Sequence, residues 1–568
     1  MTTINNANGT ALQSGNIATR GGYVPLGTLG AKCVVLSELT KTVVKLSPSE
    51  MKEMELKTLC GADWCEERYA RLHPKKEVIL FDHRALATDI IRDCQSKGPY
   101  VESYERRAGV WLMNDGQLVV NGRELWRPDG TRLEHGIYEG RIYSASGDVG
   151  FDLATPEATD DEVELIRRAF SGIEWQQPIA PELQLGWLGI ALVAPALRRR
   201  SNLFLGGRHG VGKSTALELM KWLLGPMAHA CTGPQTMAAF YQALGGTGRA
   251  VILDEFEADP SRRHTKDTLE IARMSYSLQE GDEGIVRGTP GGTTRSYRFY
   301  SPFLAAGICP GKMEPADLSR WVILEAKSRK ADAIQLTEDE ARRLGPRLAR
   351  RFVSRWSVFQ ASEKVVRERI LAAGGDGRLA DTVGTLLASY WAFVSSQPAT
   401  AEDADVLVEM LDIESRIGAH VVADETRCLE ALLTRVLPFR FVEGEALVTR
   451  TLSISEAIQR VCEDPTGNPE IMAQLARVGL RVAMVKGAWK VFIANSPEHQ
   501  GLRRVYMGTK WATGGWSMVL RRLPGGEEST KRLGAGFPPA KVTVFDVPEG
   551  LLPAQNDFDF EFEQLWAA

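Results

Sequence analysis

The sequence is short of cysteine, of long apolar runs and of charge imbalance, and each shortage removes a class of protein. Eight cysteines in 568 residues stand at positions 33, 60, 65, 94, 231, 309, 428 and 462, with no C-x2-C framework. Cys60 and Cys65 are the one close pair, and no second pair stands at zinc-ligand spacing. That excludes a disulfide scaffold and a zinc ribbon, and predicts reduced, buried thiols in a cytoplasmic chain. The longest apolar stretch, residues 183–197, falls short of the ~20 residues of a membrane span. It runs into Arg198, Arg199 and Arg200, so a buried core helix over 181–197 and no membrane partner are expected. Residues 1–22 are polar and rich in Asn, Thr and Gly. They lack the apolar centre of a secretory signal and read as a disordered tail. Lys and Arg total 68 against 72 Asp and Glu, a net charge of −4. A protein that coats nucleic acid by bulk charge is thereby excluded, while a local basic channel is not.

What is present is an ordinary globular composition, 44% hydrophobic and 25% charged, in a chain too long for one core. Residues 23–160 read as an α+β accessory domain. Short β-like runs near 33–36, 78–81, 110–113 and 118–120 alternate with a helix near 85–94. Asn114-Asp115-Gly116 and Asn121-Gly122 suggest two hairpins, because Asx-Gly supplies the positive φ of tight turns. Residues 161–330 read as the catalytic core, 331–400 as a helical segment, and 401–568 as a mixed C-terminal domain. Within that domain, two helices (453–463 and 469–478) and a hairpin (480–485, 489–494) follow the order of a winged helix.

The chemistry concentrates in the core. A short apolar strand, 202–205, leads into Gly207-Arg208-His209-Gly210-Val211-Gly212-Lys213-Ser214, which fits G-x-x-x-x-G-K-[ST] at every fixed position. A helical pattern follows from Thr215. The glycines let backbone N–H groups curl round phosphate oxygens, and the helix directs its positive end at the same anion. Lys213 is placed for the β- and γ-phosphates, and the Ser214 hydroxyl for Mg2+. The expected substrate is ATP, held by residues 207–215. A second apolar strand ends in Asp254-Glu255, 41 positions after Lys213. Ligands of parallel sheets bind at the carboxyl ends of strands. Asp254 is therefore assigned to Mg2+ and Glu255 to polarising the attacking water.

A third strand, 303–308, stands where a γ-phosphate sensor is expected, yet it ends in Ala306-Gly307-Ile308-Cys309 with no polar tip. Before it lies a Gly-rich segment with basic flanks, 285–297, that reads as a hairpin. Its arginines Arg287 and Arg295, with Arg298, are candidates for gripping a phosphate backbone. Arg320, just ahead of the apolar strand 321–324, is the candidate for a neighbouring subunit's γ-phosphate; Arg262, Arg263 and Arg273 are rivals.

Over residues 170–330 the chain resembles the superfamily 3 type of AAA+ helicase, and more closely the helicase half of phage and prophage primase-helicases. The residues that carry the resemblance are Gly186-Trp187-Leu188, Gly207 to Ser214, Asp254-Glu255-Phe256-Glu257, Arg287-Gly288-Thr289-Pro290-Gly291-Gly292 and the stretch 317–324. The resemblance implies a P-loop AAA+ core with a parallel sheet. It also implies a homohexameric ring that binds single-stranded DNA in its pore and translocates during phage or plasmid replication. A separate primase is a further candidate partner, since no acidic metal cluster or zinc ribbon of a primase is present. Two other expectations stay open. One is a non-helicase AAA+ machine such as a helicase loader or a defence ATPase. The other is an initiator that reads DNA through 453–494 and uses ATP as a switch.

Overall fold

In the computed structural model, the described residues are 22–73, 79–145, 147–256, 263–279, 282, 284, 298–308, 313–411, 424–443, 446–509 and 511–552, with strand backbone at 2–5, 11–14, 285–288 and 294–297. The chain divides into two compact units, Met1–Ile417 and Gly418–Ala568.

The first unit is built on a six-stranded sheet: β1 (Ile173–Trp175), β2 (Asn202–Gly207), β3 (Ala228–Thr232), β4 (Ala250–Asp254), β5 (Phe303–Ala306) and β6 (Trp321–Arg329), in the spatial order β1-β6-β2-β5-β4-β3. β2 to β6 are mutually parallel, and only the short edge strand β1 runs antiparallel. The near-continuous apolar runs of β2, β4 and β5 are what a parallel sheet covered on both faces requires, and their apolar residues are buried. The chain is thus mixed α/β around a mostly parallel sheet.

The apolar stretch 183–197 lies in α1 (Ala180–Leu192), every residue of which is buried. A helix that is apolar all round belongs inside a large core. The helix expected over 181–197 stops early, because Pro195 cannot continue it and a single 3-10 turn, Ala194–Ala196, follows. α1 packs on α4 (Gly377–Val394), and the two backbones approach closely at Gly186. Ser389 Oγ donates to the Gly186 carbonyl at 2.7 Å. A Cβ on Gly186 would lie 2.1 Å from the Leu386 carbonyl oxygen. Gly186→Ala is therefore expected to destabilise the unit by about 1–3 kcal/mol through overpacking. Urea unfolding with an unchanged m-value checks this, and a neutral result would mean the two helices can part freely.

Ahead of the sheet stand a three-stranded sheet (Tyr23–Leu29, Lys32–Ser37, Val43–Leu46) with the helix His83–Lys97, and a four-stranded sheet from Gly109–Leu112 to Arg132–Leu133. Gly116 turns the first hairpin at φ +79. The second hairpin is present as well: the strand Leu118–Asn121 pairs antiparallel with Leu125–Trp126, Asn121 opposite Leu125. Only the place of the Asx residue differs. Asn121 stays in the strand, fully buried, its Nδ2 donating to the Arg106 carbonyl at 2.7 Å and the Ser144 carbonyl at 3.1 Å. An amide that satisfies buried carbonyls is held by the interior, so the turn falls on 122–124. Trp111 of this region meets Tyr300 edge-on with ring centroids 5.4 Å apart, so the accessory strands rest on the segment that feeds β5.

The helix Ala401–Leu411, grouped by sequence with the C-terminal domain, buries Ala404, Leu407 and Leu411 in the core of the first unit. In the second unit the order helix, turn, helix, hairpin is present as Ile454–Glu463, Pro469–Val478, Leu480–Val485 and Ala488–Ala494. The second helix also packs along the strand Val436–Glu443. There Gln474 both accepts from Arg440 N at 3.0 Å and donates to Arg440 O at 2.8 Å. Among the described residues no helix is long and apolar enough to cross a membrane. The described cysteines are all free thiols, and burial pushes Cys60 and Cys94 up to about 12, away from reactivity.

Candidate nucleotide site

β2 delivers the chain to a loop whose conformation its glycines make possible. Gly207, Gly210 and Gly212 take φ +134, +80 and +98, values that side-chain-bearing residues rarely adopt. Val211 is buried and pins the loop, whereas Arg208, His209 and Gly210 are exposed. The helix α2 (Lys213–Leu224) begins directly, with left-handed Gly212 at its N-cap and no side-chain cap. Its first amides therefore stay available to an anion. Lys213 Nζ folds back over the loop and donates to the carbonyls of Gly207 at 2.5 Å and Arg208 at 2.7 Å. Burial lowers the pKa of this ammonium, against the opposing pull of Glu325 and Asp254. Ser214 and Thr215 face solvent on the first turn.

Across from this loop, β4 ends at half-buried Asp254 and exposed Glu255. Glu255 is held at φ +53, a left-handed conformation that costs a non-glycine residue about 1–3 kcal/mol. Its neighbours enforce it. Glu255 N donates to Asp254 Oδ1 at 2.9 Å, and Phe256 N donates to the Ala306 carbonyl at 2.8 Å. The buried Phe256 ring stacks on Trp321 at 6.3 Å. The tip of β5 explains why no polar sensor stands there. Gly307 N binds the Leu205 carbonyl, Gly207 N binds the Ile308 carbonyl, and a Cβ on Gly307 would lie 2.5 Å from the Phe256 carbonyl oxygen. That tip is a backbone clamp between β2 and β4. Cys309 lies outside the described residues.

Loop, acidic pair and clamp surround one cleft of about 900 Å3. It is also lined by Arg263, one of the arginines singled out in the sequence, and by two residues that were not: His264, which with Arg263 opens α3 (Arg263–Ser277), and Arg329 at the end of β6. Glu325 of β6 lies against Gly206, where a Cβ would sit 2.3 Å from its Oε2. Burial raises the pKa of this carboxyl and Lys213 opposes the rise. Glu325 had one signal in sequence, a carboxylate interrupting the apolar run of β6. Arg329 had none, because only the pairing of β6 beside β2 brings it to the loop.

Of the arginine candidates, Arg263 lines its own chain's cleft. Arg273 is engaged by buried Asp317 through two bonds of 2.7 and 2.8 Å. Arg320 stands before β6 at the opposite end of the sheet, its backbone carbonyl accepting from Asn202 N at 3.1 Å. Its guanidinium lies over Tyr276 and donates to the Ala316 carbonyl. Arg262 lies outside the described residues. The strands Ile285–Gly288 and Thr294–Tyr297 do pair antiparallel, with Arg287 opposite Arg295, while the tip 289–293 lies outside the described residues. Half-buried Arg298 falls past the last pair, Ile285 with Tyr297, at the hairpin's base.

The donor set suits Mg2+ shared with phosphates, since such an ion takes one or two oxygen ligands from protein. The Ser214 hydroxyl and the Asp254 carboxylate line one cleft. Among the described residues no cluster of three or more His, Cys, Asp or Glu forms a separate metal cage.

No protein-family model matches the chain. One curated relative, the 3-dehydroquinate synthase of Gloeobacter violaceus, is 28% identical over 165 residues, which is 28% of this chain. The match spans 45% of that protein's length. Solved structures similar to this chain include two apo structures of the C-terminal region of NrS-1. One, the A form, has a TM-score of 0.36 at 11% identity, covering 92% of this chain and 96% of that one. The other has a TM-score of 0.33 at 12% identity, with the same coverage.

Proposed function

We propose that this chain is an ATP hydrolase whose turnover drives a ring-shaped helicase along single-stranded DNA, with a P-loop AAA+ core formed by β2 to β6. The observation that carries the proposal is the single cleft in which the glycine loop and Lys213 face Asp254 and Glu255 at the carboxyl ends of parallel strands. Phosphoryl transfer asks little covalent chemistry of a protein and much positioning and charge. The loop amides and Lys213 bind the phosphates, and Glu255 holds a water for in-line attack. Ser214 and Asp254 are the residues that would hold Mg2+, which when bound neutralises charge on the phosphate oxygens.

The helicase part rests on the basic hairpin. Its register puts two arginine positions, 287 and 295, on one rung, and paired cations suit a phosphate backbone. Duplex reading by the C-terminal helix pair gains no support. The second helix, which would enter a groove, already has Gln474 tied to the neighbouring strand.

The test is ATP hydrolysis with and without single-stranded DNA, beside Lys213→Ala and Arg287→Ala. DNA is expected to stimulate the wild type, Lys213→Ala to abolish turnover, and Arg287→Ala to lose only the stimulation. Turnover indifferent to DNA would remove the helicase reading and leave the hydrolase, with a protein substrate next to be sought.

A further inference from the structure

In the second unit the strands β7 (Val436–Glu443) and β8 (Ala446–Ser453) form a sheet of two. Alternate residues of a strand fall on opposite faces. One face is covered: Phe439 and Phe441 are buried, and the Arg460 guanidinium lies 4.4 Å from the centroid of the Phe441 ring. The other face is bare. There Val436 and Val442 of β7 and Leu447 of β8 are 54%, 48% and 63% exposed, and Val442 stands directly opposite Leu447. Exposed Pro438, Thr449 and Thr451 lie on the same face.

One edge of this sheet is bare too. Gln474 bonds both the amide and the carbonyl of Arg440, so those groups point away from β8 and the β7 edge is closed. Arg440 stands opposite Thr449. The two therefore form a pair without mutual hydrogen bonds, and the peptide groups of Thr449 point outward from the far edge. The period of two gives Leu447 and Thr451 the same direction. Thr451 stands opposite Pro438, which has no N–H to donate. Among the described residues no strand lies beyond β8. Proteins blunt such edges with lysine, proline, a bulge or a cover. β8 has no lysine and no proline, its eight residues stay in unbroken register with β7, and its single charge, Arg450, belongs to the covered face. A two-stranded sheet with an apolar face in water calls for a third strand.

A segment of matching chemistry lies within reach. Outside the described residues, the sequence alternates strictly over Asp557-Phe558-Asp559-Phe560-Glu561-Phe562-Glu563. In an extended chain this sets three phenyl rings on one face and four carboxylates on the other. Leu551 and Leu552 pack against the core of the second unit, and the turn Glu549–Leu551 rests on α5 (Ile454–Glu463), whose N-cap is Ser453, the last residue of β8. Residues 553–556 span up to about 13 Å, nearly the whole ~15 Å of a ten-residue helix, so residue 557 can reach the Ser453 end of the edge. We propose that residues 557–563 dock on β8 of their own chain as a third strand, independently of the nucleotide cleft. The segment enters beside Ser453 and runs antiparallel towards Ala446. Its phenylalanines extend the apolar face of Val442 and Leu447, and its carboxylates fall on the side of Arg450. Docked there, it takes the outward amides and denies the edge to a strand from another molecule.

The experiment is amide hydrogen exchange on the full chain, read by mass spectrometry. It compares the wild type with Thr449→Pro and with a triple variant, Phe558→Ser, Phe560→Ser and Phe562→Ser. In the wild type the amides of Leu447, Thr449 and Thr451 should exchange on the order of tenfold or more slowly than in the triple variant. Val448, Arg450 and Leu452, whose amides face β7, should stay slow in both. Thr449→Pro deletes an outward N–H and leaves the β7 ladder whole, so it should speed exchange across 557–563 alone. A synthetic peptide of residues 553–566 added to the triple variant should restore slow exchange at the edge, which separates lost docking from a damaged hairpin. Equal edge rates in the wild type and the triple variant would overturn the proposal. Fast in both would mean an edge left open, and slow in both an edge closed by some other segment. A peptide that restores nothing would overturn it as well. The wild-type rates should survive about a hundredfold dilution. Protection that fades on dilution would assign the strand to a second copy and not to the same chain.

Discussion

Arg320→Ala should slow ATP turnover by about 10³- to 10⁵-fold, the range of an arginine that meets the charge developing on a transferred phosphoryl group. Nucleotide affinity should hardly change. Arg320 sits at the start of β6, and the cleft opens where β2 ends, so the residue cannot touch a nucleotide bound to its own chain. The loss should therefore fall on kcat with KM preserved, the mark of an interaction made only in the transition state. With Arg320 acting on a neighbouring copy's nucleotide, turnover per subunit should also rise with protein concentration in the wild type. In Arg320→Ala the residual rate should be flat with concentration. A variant that turns over like the wild type, or that loses affinity in dilute monomer, would put Arg320 back among structural residues. In that case its seat over Tyr276 is its whole role.

How far the site could be read from sequence depended on whether its parts are contiguous. The residues 207–215 are one segment whose geometry is set by local backbone freedom, and a strand, loop and helix appear there with Gly212 in the left-handed region. Asp254 and Glu255 were legible because an apolar strand that ends in charge is a local pattern too. Glu325, His264 and Arg329 were not. Each reaches its place through sheet order or helix packing, and a single sequence does not print which strands are neighbours. The polar sensor sought at the end of the third strand fails for the same reason. Gly307 is required there by the Phe256 carbonyl of a neighbouring strand, a contact between residues distant in sequence. Asn121 and Pro195 show the two ways local rules lose. At Asn121 a buried hydrogen-bond demand keeps the Asx residue in its strand and moves the hairpin turn to 122–124, and at Pro195 a helix ends inside an apolar run that composition alone would continue.

Glu255 should separate stability from function more cleanly than any other position. Glu255→Gln keeps the shape and removes the charge proposed to polarise water, so turnover is expected to fall by about 10²- to 10⁴-fold with ATP still bound. Glu255→Gly removes the same carboxylate and also the left-handed strain at φ +53. Relief of that strain, of order 1–3 kcal/mol, is partly offset by the added freedom of glycine in the unfolded chain, about 0.5–1 kcal/mol. The glycine variant should thus be as inactive as the glutamine variant yet melt at or above the wild-type temperature. Glu255→Asn, which tolerates the left-handed region, should be inactive with nearly unchanged stability. Calorimetry and single-turnover hydrolysis on the same three samples decide the matter. If Glu255→Gly hydrolyses ATP at the wild-type rate, the carboxylate polarises nothing and the water must be activated by another group lining the cleft. If all three variants are inactive but Glu255→Gly unfolds first, then the strained turn is held by contacts of the glutamate side chain. The strain would in that case belong to the fold and not to the chemistry.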